Sequence, residues 1–91
     1  NATVTTVAPS NESVISTGVI HFTWNALEDA TMYKLQIATP NFTSAVQVVL
    51  DTLLENTSFS KNLPIGNYQW RVKAVNSDYE TAYTTNSFEI D

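Results

Sequence analysis

LPIGNYQWRVKAVNS, Leu63 to Ser77, alternates along most of its length: Tyr68, Trp70, Val72 and Ala74 share one side, and Gln69, Arg71, Lys73 and Val75 the other. A period of two is the signature of a β-strand with one buried face, so the aromatic residues read as core and the basic ones as exterior. Leu63, Pro64 and Gly66 ahead of it mark a turn, with Gly66 suited to a backbone position where φ is positive.

The same period recurs on both sides of this stretch. Ile20, Phe22 and Trp24 alternate with His21, Thr23 and Asn25, and Tyr33, Leu35 and Ile37 alternate with Lys34, Gln36 and Ala38. In AVQVVLD, Val46, Val48 and Leu50 are expected to share a face, with Val49 turned outward. NSFEID places Phe88 and Ile90 inward and Glu89 outward, NTSFS offers Phe59, and the N-terminal ATVTTVAPS offers a strand that Pro9 confines to an edge or ends. Turn-forming clusters separate these runs: APSNES, NALEDA, ATPNF, LLENTS, NLPIGN and NSDYE. Seven short strands with turns at such intervals and no helical run predict an all-β, antiparallel β-sandwich.

Composition agrees and excludes several classes. The 91 residues suffice for one core and are too few for two, so residues 1–91 are expected to form a single domain, cut from a larger multidomain protein. Without cysteine there is neither a disulfide nor thiolate chemistry. A net charge of −5 opposes nucleic acid and anionic lipid as partners, and no apolar stretch approaches the roughly 20 residues of a membrane span. Thr, Ser and Asn make up 30 of the 91 residues against three lysines, a bias that suits strand exteriors and turns and a location outside the cytoplasm.

FTWNALEDATMYKLQIAT followed by LPIGNYQWRVKAVN resembles fibronectin type III domains of the kind found in bacterial surface and secreted proteins, over residues 9–91. Trp24, Tyr33, Leu63, Gly66, Tyr68 and Trp70 carry the resemblance as a set. It implies an immunoglobulin-like sandwich with strands A, B and E in one sheet packed on C′, C, F and G in the other. It also implies a tyrosine corner, in which the Tyr68 hydroxyl returns to a backbone group near Leu63. Leu63 and Tyr68 stand one residue closer than in many animal members, and the chain has no Arg-Gly-Asp triplet.

Catalytic chemistry finds little support. The lone histidine, His21, lies on an outward strand face with no nucleophile elbow nearby, and one His without Cys cannot build a zinc site. Glycines at 18 and 66 form no phosphate loop, and Glu28 with Asp29 in one turn read as solvated carboxylates. The chain is therefore expected to be neither an enzyme nor a cofactor binder.

Two surfaces remain. The B-C, C′-E and F-G loops of such a sandwich gather at one end and would bring Glu28, Asp29, Asp51, Glu55, Asp78 and Glu80 to one acidic pole. That pole reads as a solvated end or as a contact for a cation such as calcium or for a neighbouring domain, although the spacing matches no calcium loop. The outward C-F-G face collects Gln36, Gln69, Arg71, Lys73 and Tyr83, with Tyr79 nearby, and Tyr and Arg are residue types that interfaces favour. The resulting expectation is a non-catalytic extracellular spacer or adhesion-type interaction module whose partner is a neighbouring domain or another protein. A carbohydrate-binding sandwich is the alternative, with Tyr79, Tyr83 and Phe42 as the residues able to offer a glycan platform. Sequons at Asn1, Asn11, Asn41 and Asn56 would permit N-glycosylation in a eukaryotic secretory pathway.

Overall fold

The computed structural model describes residues 3–16 and 18–91; the Asn1 sequon lies outside them. Eight strands form: β1 (Thr6–Ala8), β2 (Ser13–Ile15), β3 (Val19–Trp24), β4 (Met32–Thr39), β5 (Gln47–Leu54), β6 (Ser58–Asn62), β7 (Gly66–Val75) and β8 (Thr84–Ile90). They make two facing sheets, β1-β3-β6 and β2-β8-β7-β4-β5, antiparallel throughout except where β2 runs parallel to β8.

The eighth strand arises because the N-terminal run is divided. Pro9, lacking an amide hydrogen, ends β1, and the chain crosses at Glu12 (φ 63°) to the other sheet. Glu12 N then donates to Ser87 O at 2.6 Å, and Asn11 Oδ1 accepts from Ser87 N at 2.8 Å. The three residues of β2 thereby cover the β8 edge, which would otherwise expose unpaired backbone groups.

The alternation holds through the centre of the sandwich. Ile20, Phe22, Trp24, Tyr33, Leu35, Ile37, Leu63, Tyr68, Trp70, Val72, Ala74, Phe88 and Ile90 are all buried. Six rings run through this core in contact: Tyr33 to Trp24 (5.9 Å between centroids), Trp24 to Trp70 (6.4 Å), Trp70 to Phe22 (5.2 Å), Phe22 to Phe88 (5.9 Å) and Phe88 to Tyr68 (5.4 Å). Rings from both sheets contribute, so this spine joins one sheet to the other as well as filling space. A tyrosine hydroxyl ties down a loop at each end: Tyr33 Oη accepts from Leu27 N at 3.0 Å, and Tyr68 Oη donates to Pro64 O at 2.7 Å.

The second of these bonds is the tyrosine corner, anchored one residue beyond Leu63. Gly66 opens β7 with φ 158°, and the Tyr68 ring lies over its α-carbon, where an added Cβ would sit 3.6 Å from Cε2. Tyr68→Phe is expected to cost about 0.5–1.5 kcal/mol, the net worth of one hydrogen bond, in urea unfolding. Burial also raises the Tyr68 pKa, which favours the neutral phenol in the folded state. That contribution is complete below the unfolded value of about 10 and is lost as pH rises through the folded one. Tyr68→Phe should therefore lose less stability than the native chain between about pH 8 and pH 11, as read from paired unfolding curves.

Two expected orientations are reversed at one place. Val49 packs against the core while Val48 and Val46 face solvent at 54% and 86% exposure, and Ala38, opposite Gln69 on the outer face as expected, is nevertheless buried there. The register supplies the reason: Ile37 pairs with Leu50 but Ala38 pairs with Val48, leaving Val49 as the extra residue of a bulge. Beyond a bulge the two-residue period slips by one position.

Candidate functional site

The outer face of the five-stranded sheet holds the predicted patch, and the register assembles it. Gln36 on β4 pairs with Arg71 on β7, and Arg71 Nε donates to Gln36 Oε1 at 2.7 Å. The guanidinium carbon lies 4.0 Å from the Phe42 ring centroid and 4.2 Å from that of Tyr83, so Arg71 packs against two rings. Lys73 Nζ lies 4.8 Å from the same Tyr83 ring. Gln69, also on β7, accepts from Phe42 N at 3.0 Å and donates to Ser87 Oγ at 3.1 Å, which pins the β4–β5 loop onto the sheet.

Phe42 is the member of this cluster that sequence reading places elsewhere, among possible sugar platforms. Its position follows from tertiary register: Ala38 pairs with Gln69, so the loop leaving β4 passes beside Gln69 and reaches back over Arg71. Tyr83 stands one residue before β8 and reaches the face from there.

Lys34 and Lys73 occupy directly opposed positions on β4 and β7, a like-charge pairing that is unfavourable without compensation. Each lysine has a carboxylate: Lys34 Nζ lies 2.7 Å from Asp51 Oδ1, and Lys73 pairs with Glu80. The bond to Lys34 holds the Asp51 carboxyl below its ordinary pKa, aided by a hydrogen bond from Gln36, and the same bond to Asp51 raises Lys34. All three of these basic residues lie on one face of a chain that has four in total.

This pairing corrects the acidic pole. Asp51 belongs to strand β5, which extends to Leu54, and projects onto the sheet exterior instead of standing in a loop. Glu80 bridges to Val75 and is engaged by Lys73. Glu28 and Asp29 do meet the β7–β8 loop, where Tyr79, Glu80 and Thr81 join them with Leu27 in a groove of about 600 Å³. Asn76 organises this end: its Nδ2 donates to Asp29 O at 3.0 Å, and its Oδ1 accepts from Asp78 N at 2.8 Å and Tyr79 N at 2.9 Å. Glu55 follows β5, and among the described residues no three acidic or histidine side chains converge as a metal site.

On the opposite sheet His21 and Ser60 are register partners, and His21 Nδ1 lies 2.7 Å from Ser60 Oγ on an exposed surface. Among the described residues no helix is long and apolar enough to cross a membrane.

No family model and no curated protein matches the chain. Solved structures do. The fibronectin(III)-like modules of Clostridium thermocellum CbhA superpose with a TM-score of 0.69 at 14% identity, covering 97% of this chain and 95% of theirs. The crystal structure of FN3tt gives 0.67 at 17% identity over 100% of this chain and 98% of that one. An Fn3-like protein from Clostridium thermocellum gives 0.66 at 18% identity over 99% and 93%. Identities this low speak to architecture, and the sheet order, the tyrosine corner and these superpositions agree: the chain has the fibronectin type III fold.

Proposed function

We infer that this chain is a non-catalytic module of a multidomain secreted or cell-surface protein, and that it offers the outer face of β2-β8-β7-β4-β5 to a protein partner. The observation that carries this reading is the cluster around Arg71, in which one cation is fixed by two aromatic rings and a glutamine on an otherwise acidic domain. Fixed Arg and Tyr side chains on a flat surface suit interfaces, because little rotamer freedom is left to lose on binding. The likeness in fold to bacterial modules, in a chain 39 Å along its longest axis, supports a place in a larger assembly.

A non-catalytic role is supported by the setting of His21 and Ser60. They meet on an exposed sheet surface, and the open, mostly apolar groove that His21 helps to line with Pro9, Ile15 and Ile20 does not include Ser60. The carbohydrate-binding reading draws less support, since Phe42 and Tyr83 turn their rings onto Arg71 instead of presenting a free platform.

The test is retention of secreted or surface proteins on the immobilised domain, identified by mass spectrometry and compared across variants. Arg71→Ala and Tyr83→Ala are expected to release the retained partner, while Ser60→Ala on the opposite sheet keeps it. Retention that survives both face variants, or that only Ser60→Ala abolishes, would move the interface elsewhere.

A further inference from the structure

Resting on that reading of the face, we propose that Arg71 is a receptor for side-chain carboxylates of an acidic protein segment. The guanidinium is already positioned, with rings at 4.0 and 4.2 Å and Nε bonded to Gln36 at 2.7 Å. Among the described residues no acceptor meets its two Nη groups. Lys34 and Lys73 each have a carboxylate of this chain, whereas among the described residues none lies within ion-pair distance of Arg71, whose charge reaches Asp51 only from further off. The open end of a guanidinium is a planar fork of N–H donors whose spacing matches two carboxylate oxygens, a match that an ammonium group cannot reproduce.

The ring geometry favours a protein carboxylate over a sugar acid. Arg71 lies over both rings and Lys73 lies over Tyr83 as well, so the aromatic surface on which a pyranose would stack is engaged by cations. Charge makes the requirement strict. A chain of net charge −5 repels a polyanion at a distance, so association with one depends on a local site.

The test is an NMR titration of the folded domain with poly-L-glutamate, with sodium chloride at matched ionic strength and polygalacturonate as separate arms. Polyglutamate is expected to shift the Arg71 Nε–Hε and Phe42 amide signals saturably, with sodium chloride leaving them in place. Arg71→Lys, which keeps the charge and loses the fork, should weaken binding at least about tenfold while its spectrum stays dispersed. Equal affinity in Arg71→Lys, no saturable shift with polyglutamate, or a shift with polygalacturonate alone would each overturn the proposal. If polyglutamate has no effect while Arg71→Ala and Tyr83→Ala still release the retained partner, the carboxylate assignment falls and the interface stands. If those variants also keep the partner, both fall.

Discussion

Trp70→Ala is expected to lower the unfolding free energy by about 3–5 kcal/mol, a large part of the roughly 5–15 kcal/mol that holds a small domain folded. Trp70 is fully buried, touches Trp24 and Phe22 from the facing sheet, and donates from Nε1 to Pro9 O at 3.3 Å. Truncation thus opens a cavity at the centre of the spine and also leaves a buried carbonyl without its donor. Trp24 provides an internal contrast, because its Nε1 is buried with no hydrogen-bond partner among the described residues. Replacing each tryptophan by phenylalanine should separate the two: Trp24→Phe removes an unsatisfied donor, whereas Trp70→Phe breaks a bond. Trp24→Phe is expected to be the milder by about 1–2 kcal/mol in urea denaturation. Equal costs would mean that the two indole N–H groups have equivalent surroundings.

Phe22→Ala carries the second large effect, also about 3–5 kcal/mol. Phe22 belongs to the small sheet and meets Trp70 at 5.2 Å and Phe88 at 5.9 Å, both edge-on, in the large one. Its removal separates the sheets where they interdigitate. Because Phe22 and Trp70 share a contact, the double variant should depart from additivity by about 0.5–3 kcal/mol. Strict additivity in a thermal or urea series would show that each ring packs independently of the other.

The core was legible in the sequence because burial in a sandwich follows a two-residue period, and β3, β4, β7 and β8 keep it through their central residues. That period points Trp24, Tyr33, Tyr68 and Trp70 inward, and all four are buried. Legibility failed where the period is interrupted or pairing decides the outcome. The bulge at Val49 shifts the count along β5 by one, so Val48 and Val49 exchange faces. Pro9 does end β1, as expected, but the crossing that creates β2 depends on backbone bonds to Ser87, far away in sequence.

The site divides in the same way. Gln36, Gln69, Arg71 and Lys73 follow from alternation along two strands, and their shared face is fixed once those strands pair. Phe42 does not, because a loop residue's position over Arg71 depends on where the loop folds back. Sequence pattern alone puts Asp51 in a loop, because the alternation of AVQVVLD ends at that residue. The β4–β5 ladder continues to the pairing of Tyr33 with Leu54 and carries Asp51 onto the face beside Lys34.

Residues 70 and 71 are neighbours on one strand, one turned to the core and one to the exterior. That β7 holds the fold together with one face and serves recognition with the other is tested most directly by the unfolding free energy of Arg71→Ala beside that of Trp70→Ala. The expected loss for Arg71→Ala is at most about 1.5–3.5 kcal/mol, the summed worth of two partly exposed cation–π contacts and one hydrogen bond, and falls below that of Trp70→Ala measured beside it. A loss equal to or larger than that of Trp70→Ala would contradict this division and make the Arg71 cluster part of the core.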